Sequence, residues 1–158
     1  MNVHESIVVA VPGPQLQDIM ARRFDEVARC LPGVREIAAE DQYRYRLVVE
    51  VKVGPLALSF KGLLELGEPN VTHAGFRMQS HLTDERTGSS VKLVQDIALH
   101  PLAEGTEIVL DSEVDLRGKI ASLGWGLIRP KMRTMMRDFA TNLQAFVERD
   151  AAQPLPSD

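Results

Sequence analysis

The sequence predicts a single α+β domain in which a curved antiparallel sheet grips one long C-terminal helix and encloses an apolar pocket. Three observations predict it. Between residues 43 and 116, apolar and polar residues alternate with the period of a half-buried strand, interrupted by clusters of glycine, proline and aspartate. Beyond residue 127 the apolar spacing changes to three and four, the period of a helix. The 158 residues suffice for one core, since a chain of this size buries about 68–70% of its unfolded surface. The domain is expected to span residues 1–150, with 151–158 as a short frayed tail.

The chain opens with a short strand around Val3 to Val11. Pro12-Gly13-Pro14 turns it, and Pro14 suits a first helical position, where its missing N–H is no loss. Leu16, Ile19 and Met20 mark the apolar side of a short helix; Phe24, Val27, Ala28 and Leu31 mark its continuation or a second one, stopped by Pro32-Gly33. The first strand of the middle region sets Tyr43, Tyr45, Leu47, Val49, Val51 and Val53 on one side and Arg44, Arg46, Val48, Glu50 and Lys52 on the other. After a turn at Gly54-Pro55, Leu56, Leu58, Phe60 and Leu64 alternate with Ala57, Ser59 and Lys61 up to the break at Gly67-Glu68-Pro69-Asn70.

Three further strands are expected. Their apolar sides carry Ala74, Phe76, Met78, Ser80 and Leu82, then Val91, Leu93, Gln95, Ile97 and Leu99, then Ile108, Leu110, Val114 and Leu116. Turns are expected at Asp84 to Gly88 and at His100 to Gly105. Successive hairpins give an antiparallel sheet with one wet face and one that needs cover.

The C-terminal helix supplies that cover. Ile128, Met132, Met135, Met136, Phe139, Leu143, Phe146 and Val147 recur at helical spacing, while Arg129, Arg133 and Arg137 form a separate i,i+4 stripe with Lys131 on a neighbouring side. Gly124, Gly126 and Pro130 weaken or kink the helix where it begins, and Trp125 between two glycines needs a packing partner or a ligand. This irregular stretch reads either as a plain helix start or as a movable portal beside a cavity. The expected pocket lining is Phe60, Phe76, Met78, Leu93, Ile108 and Leu110 from the sheet, with Trp125, Met132 and Met136 opposite. Methionines suit such a wall because they repack around an irregular guest.

Charge and motifs narrow the chemistry. Net charge is −4, yet residues 117–149 hold seven basic groups (Arg117, Lys119, Arg129, Lys131, Arg133, Arg137, Arg149) against Asp138 and Glu148. That segment suits an acidic partner or an anionic lipid surface. An acidic chain with no zinc spacing, helix-turn-helix signal or aromatic platform argues against nucleic acid. Cys30, the one cysteine, sits beside Leu31 in an apolar setting and reads as a buried structural thiol. His4, His73, His81 and His100 show no HExxH arrangement, and Asp111, Glu113 and Asp115 lack the glycine and terminal glutamate of a calcium loop, so no metal site is expected. No GxSxG elbow or phosphate loop is present, which leaves Asp96 and Glu65 as candidates for an acid–base group in the pocket. With no leader pattern and no apolar run of spanning length, the chain is expected to be cytoplasmic, at most peripheral at the inner face of the membrane.

Three stretches together carry a resemblance: residues 25–34 (DEVARCLPGV), 53–62 (VGPLALSFKG) and 114–124 (VDLRGKIASLG). They resemble the recurring blocks of the carbon monoxide dehydrogenase CoxG family, within the START-like, or SRPBCC (Bet v 1-like), helix-grip superfamily. The resemblance covers roughly residues 3–148. It implies a sheet wrapped around the C-terminal helix with a cavity between them. It also implies an accessory role beside a molybdenum-containing carbon monoxide dehydrogenase or related hydroxylase, in maturation or membrane recruitment. The matching residues are turn and packing positions, namely Pro32-Gly33, Gly54-Pro55, Gly62, Gly118 and Gly124, so no catalytic residue is carried over. The chain departs from relatives with a longer tail by ending soon after its helix, which speaks against a permanent anchor. The expected function is thus a noncatalytic carrier or adaptor without a built-in cofactor, taking an apolar ligand such as a quinone or lipid and docking through Arg129, Lys131, Arg133 and Arg137. A small enzyme acting on an apolar or aromatic substrate, and a purely structural interaction module, are the alternatives.

Overall fold

Alternation becomes a sheet of seven antiparallel strands in the computed structural model, which describes residues 1–67 and 75–152. The strands are β1 (Asn2–Val9), β2 (Val34–Ala39), β3 (Arg44–Val53), β4 (Leu56–Leu66), β5 (Gly75–Asp84), β6 (Ser89–Leu102) and β7 (Gly105–Arg117), in the spatial order β1-β7-β6-β5-β4-β3-β2. Strands β2 through β7 lie side by side in sequence order, and β1 closes the far edge by pairing with β7. Between β1 and β2 run α1 (Gly13–Arg22), with Pro14 in its first turn as expected, and α2 (Phe24–Ala28). A 3-10 turn (Lys119–Leu123) leads from β7 into α3 (Trp125–Ala152), a helix of 28 residues. The expected break at Glu68-Pro69-Asn70, together with His73 and Ala74, lies outside the described residues.

Three elements differ from the sequence reading. Strand β2 is one that alternation does not reveal: it lies at an edge and buries one side chain, Ile37, so its pattern carries little signal. The expected turn at His100-Pro101-Leu102 is instead the end of β6, and the reversal occupies Ala103-Glu104. Pro101 lies opposite Thr106 of β7, beyond Ala98, the last β6 residue with a described β5 partner. Pro130 lies inside α3, which continues through it at the cost of one hydrogen bond.

The apolar sides pack into two clusters. One gathers β1, the adjoining ends of β6 and β7, α1, α2 and the C-terminal half of α3 around Val9, Leu16, Ile108 and Leu143. The other gathers β3, β4, the 3-10 turn and the start of α3 around Val49, Phe60, Ile120 and Ile128. Met78 touches both. Among the strands, helix α3 lies against β1 most extensively, and its buried Leu143 and Val147 share a cluster with Ile97, Leu99, Ile108 and Leu110 of β6 and β7.

Among the described residues no helix is long and apolar enough to cross a membrane.

Candidate functional site

Register determines which side chains meet beneath α3. In antiparallel pairs, directly opposed residues share a face. One row across the sheet therefore runs Val3, Ser112, Gln95, Met78 and Leu66, and the next runs Val114, Leu93, Ser80 and Leu64. These rows lie on the covered face, yet Val3, Met78, Ser80 and Leu93 are only half-buried. So are Trp125, Met132 and Met136 on the helix. Leu93 packs against neither cluster. Side chains that face inward on the central strands and on α3 thus keep part of their surface accessible.

The nine expected lining residues divide accordingly. Phe60, Ile108 and Leu110 are fully packed within the clusters. Phe76, Met78, Leu93, Trp125, Met132 and Met136 retain some exposed area, and all of these but Leu93 pack against one or both clusters. Trp125 packs against the β3–β4 cluster at the first position of α3, so its packing partner is found.

Polar groups interrupt this face at a few positions, and at one of them two meet. Gln95 donates from Nε2 to the Ser112 hydroxyl at 3.0 Å, and each residue keeps 9% of its surface exposed. Glu5 also turns inward, half-buried between exposed His4 and Ser6 and opposite Leu110. The sequence signal for Gln95 is its place in the apolar series of β6. Ser112 occupies the corresponding gap in the series of β7. The other buried polar groups have structural work: Asp84 accepts from the backbone of Ser59 at 3.2 Å and Arg86 at 3.0 Å, and the Ser89 hydroxyl accepts from Ile120 N–H at 3.0 Å, tying the 3-10 turn to the β5–β6 hairpin.

The acids considered for pocket chemistry face away from it. Asp96 lies on the outer face in a two-pronged pair with Arg77 at 2.8 and 3.1 Å, which holds its carboxyl below the usual carboxylate range. Glu65 is exposed on the same face, 4.0 Å from Arg44. Alternation explains both corrections, since each neighbours residues that point inward. His4 donates to Asp111 at 2.5 Å, also outside, and that carboxylate raises the imidazole above its ordinary range. The outer face carries open grooves of about 350, 640 and 400 Å³ lined largely by polar and charged groups; none of the nine apolar lining residues borders them. Cys30 is buried, and burial raises its thiol.

The arginine stripe of α3 differs from most arginines elsewhere in the chain. Arg22, Arg23, Arg35, Arg46, Arg77 and Arg117 each pair with a carboxylate. Among the described residues, no carboxylate lies within 4.0 Å of Arg129, Lys131, Arg133 or Arg137. The three arginines are exposed, Lys131 is half-buried, and Arg129 reaches the Met1 sulfur at 3.8 Å on the β1 side.

A curved seven-stranded antiparallel sheet around a long C-terminal helix defines a START-like, helix-grip protein. Solved structures share the whole fold. A conserved protein from Geobacillus kaustophilus superimposes with a TM-score of 0.82 at 13% identity, covering 94% of this chain and 96% of that one. A START superfamily protein from Mycobacterium smegmatis gives 0.66 at 16% identity, covering 94% and 97%. The Zhui aromatase/cyclase from Streptomyces sp. R1128 gives 0.64 at 15% identity, covering 96% and 95%. A search of curated protein sequences finds no match. The model of the CoxG family, named for a carbon monoxide dehydrogenase subunit, matches residues 15–148, and the chain belongs to that family.

Proposed function

We propose that this protein is a noncatalytic carrier of an apolar ligand, held between the sheet and α3. It serves as an accessory to a carbon monoxide dehydrogenase-like molybdenum hydroxylase, in its maturation, membrane recruitment or quinone coupling. The observation that supports the reading is the set of half-buried apolar side chains on the covered face, Met78 and Leu93 on the sheet and Met132 and Met136 on α3, of which Met78 touches both clusters and Leu93 neither. Family membership supports the partner, and a quinone or lipid is the class of guest such a lining suits. The unpaired stripe of Arg129, Arg133 and Arg137, with Lys131 beside it, supports docking on an acidic surface, either the enzyme or the anionic inner face of the membrane in a cytoplasmic setting.

Native mass spectrometry tests the carrier reading. The purified protein is expected to retain an apolar compound that solvent extraction releases, or to accept one added afterwards as a one-to-one complex. Protein that neither retains nor accepts any apolar compound contradicts it.

A second reading, a small enzyme in the same cavity, is favoured by the inward carboxylate of Glu5. Asp96 and Glu65, facing outward, supply it with no partner group.

A further inference from the structure

We infer that Gln95 and Ser112 form a hydrogen-bonding seat for a neutral oxygen, so that the ligand is an apolar molecule bearing a carbonyl or hydroxyl group. This rests on the carrier reading and specifies the guest. Two polar side chains directly opposed on β6 and β7 sit in an otherwise apolar row with Val3, Met78 and Leu66. Burying such groups costs stability unless their hydrogen-bonding capacity is used. Their mutual bond uses one Nε2 hydrogen and one hydroxyl lone pair. The Ser112 hydroxyl proton and the second Nε2 hydrogen have no further partner among the described residues, and Gln95 Oε1, which accepts no bond there either, keeps some accessible surface. They adjoin half-buried Met78 and Leu93, across from the helix. A carbonyl oxygen could accept from the hydroxyl or the amide, and a ligand hydroxyl could donate to Oε1.

Charge excludes an acid head group. The lysines and arginines of the described sheet, including Lys52, Lys61, Arg77 and Lys92, point outward, and the arginines of α3 are exposed. The ionisable group that turns inward near the seat is Glu5, which would repel a carboxylate or phosphate. A neutral head satisfies the amide and hydroxyl without bringing an unpaired charge into the interior.

The test compares three naphthalenes of similar size, 2-acetylnaphthalene, 2-ethylnaphthalene and 2-naphthoate, by calorimetric titration of the full chain. One hydrogen bond is expected to favour the ketone over the hydrocarbon by about tenfold, with the carboxylate weakest. Gln95→Met and the milder Ser112→Ala should each remove most of the ketone preference, read as the ratio of ketone to hydrocarbon affinity, with circular dichroism verifying the fold. The carbonyl stretch of bound ketone should lie lower in the parent than in either variant. A parent that binds ketone and hydrocarbon equally, or folded variants that keep the preference, overturns the seat and leaves the carrier reading standing. A parent that binds none of the three compounds overturns both.

Discussion

Replacing Arg129, Arg133 and Arg137 together by glutamate is expected to weaken binding to phosphatidylserine-containing vesicles by at least about a hundredfold in low salt. Each basic group near an anionic membrane contributes about 1 kcal/mol, so losing three removes about 3 kcal/mol before the added repulsion is counted. The three side chains are exposed on successive turns, and none is committed to an ion pair among the described residues. Reversal therefore breaks no ion pair among the described residues and removes only the weak Arg129 contact to the Met1 sulfur at 3.8 Å, so circular dichroism of the variant should match the parent. The difference should shrink as salt rises, because screening acts over about 10 Å at 0.1 M ionic strength. Sedimentation with vesicles, and a parallel titration against the partner oxidoreductase, would assign the stripe to one surface or the other. Equal binding by the two folded proteins in both assays would leave it an ordinary solvated helix face.

Gly62→Ala is expected to cause a large loss of stability from a single added methyl group. Gly62 lies in the middle of β4, opposite Leu47 on β3 and Leu82 on β5. A Cβ there would stand 1.9 Å from the His81 carbonyl oxygen and 2.9 Å from its carbon, both backbone atoms. The flanking strands hold that carbonyl in place, so relief requires opening the β4–β5 ladder beside Leu64 and Leu82, both buried in the β3–β4 cluster. A cost of about 4 kcal/mol or more is expected, at the far end of what point substitutions do. Urea unfolding followed by circular dichroism checks it. Gly88→Ala is a control for a glycine whose Cβ would have nothing within 4 Å, although its positive φ of 66° makes it mildly unfavourable. A Gly62→Ala protein as stable as the parent would contradict this account of the sheet.

Much of the fold is legible in the sequence because period two and period three to four are local signals. Strands β3 to β7 and α3 follow from them, and the face each residue occupies follows too. The glycines of the family blocks have physical reasons that the sequence leaves unstated: Gly62 faces the backbone of β5, and Gly118 turns β7 into the 3-10 turn with φ at 80° and no room for a Cβ beside Gly88. What escapes a sequence reading depends on three-dimensional register. Gln95 is visible as a polar residue on an apolar face, but its meeting with Ser112 depends on where the β6–β7 hairpin closes, and Pro101 obscures that point. Outward Asp96 can pass for a pocket acid because one residue of offset reverses the face. The unpaired state of the α3 arginines depends on which strands α3 crosses, which no spacing within the helix reveals.

The central claim, an apolar guest between sheet and helix, is tested most directly by methyl NMR. The chain has six methionines; the proposed site places three of them, Met78, Met132 and Met136, around the guest, whereas Met20 packs against the α1 side of the core. With ¹³C-labelled methionine methyls, titration with 2-ethylnaphthalene is expected to shift Met78, Met132 and Met136 together along one saturating curve and to leave Met20 in place. Resonances of Met78, Met132 and Met136 that stay fixed throughout the titration would contradict the account.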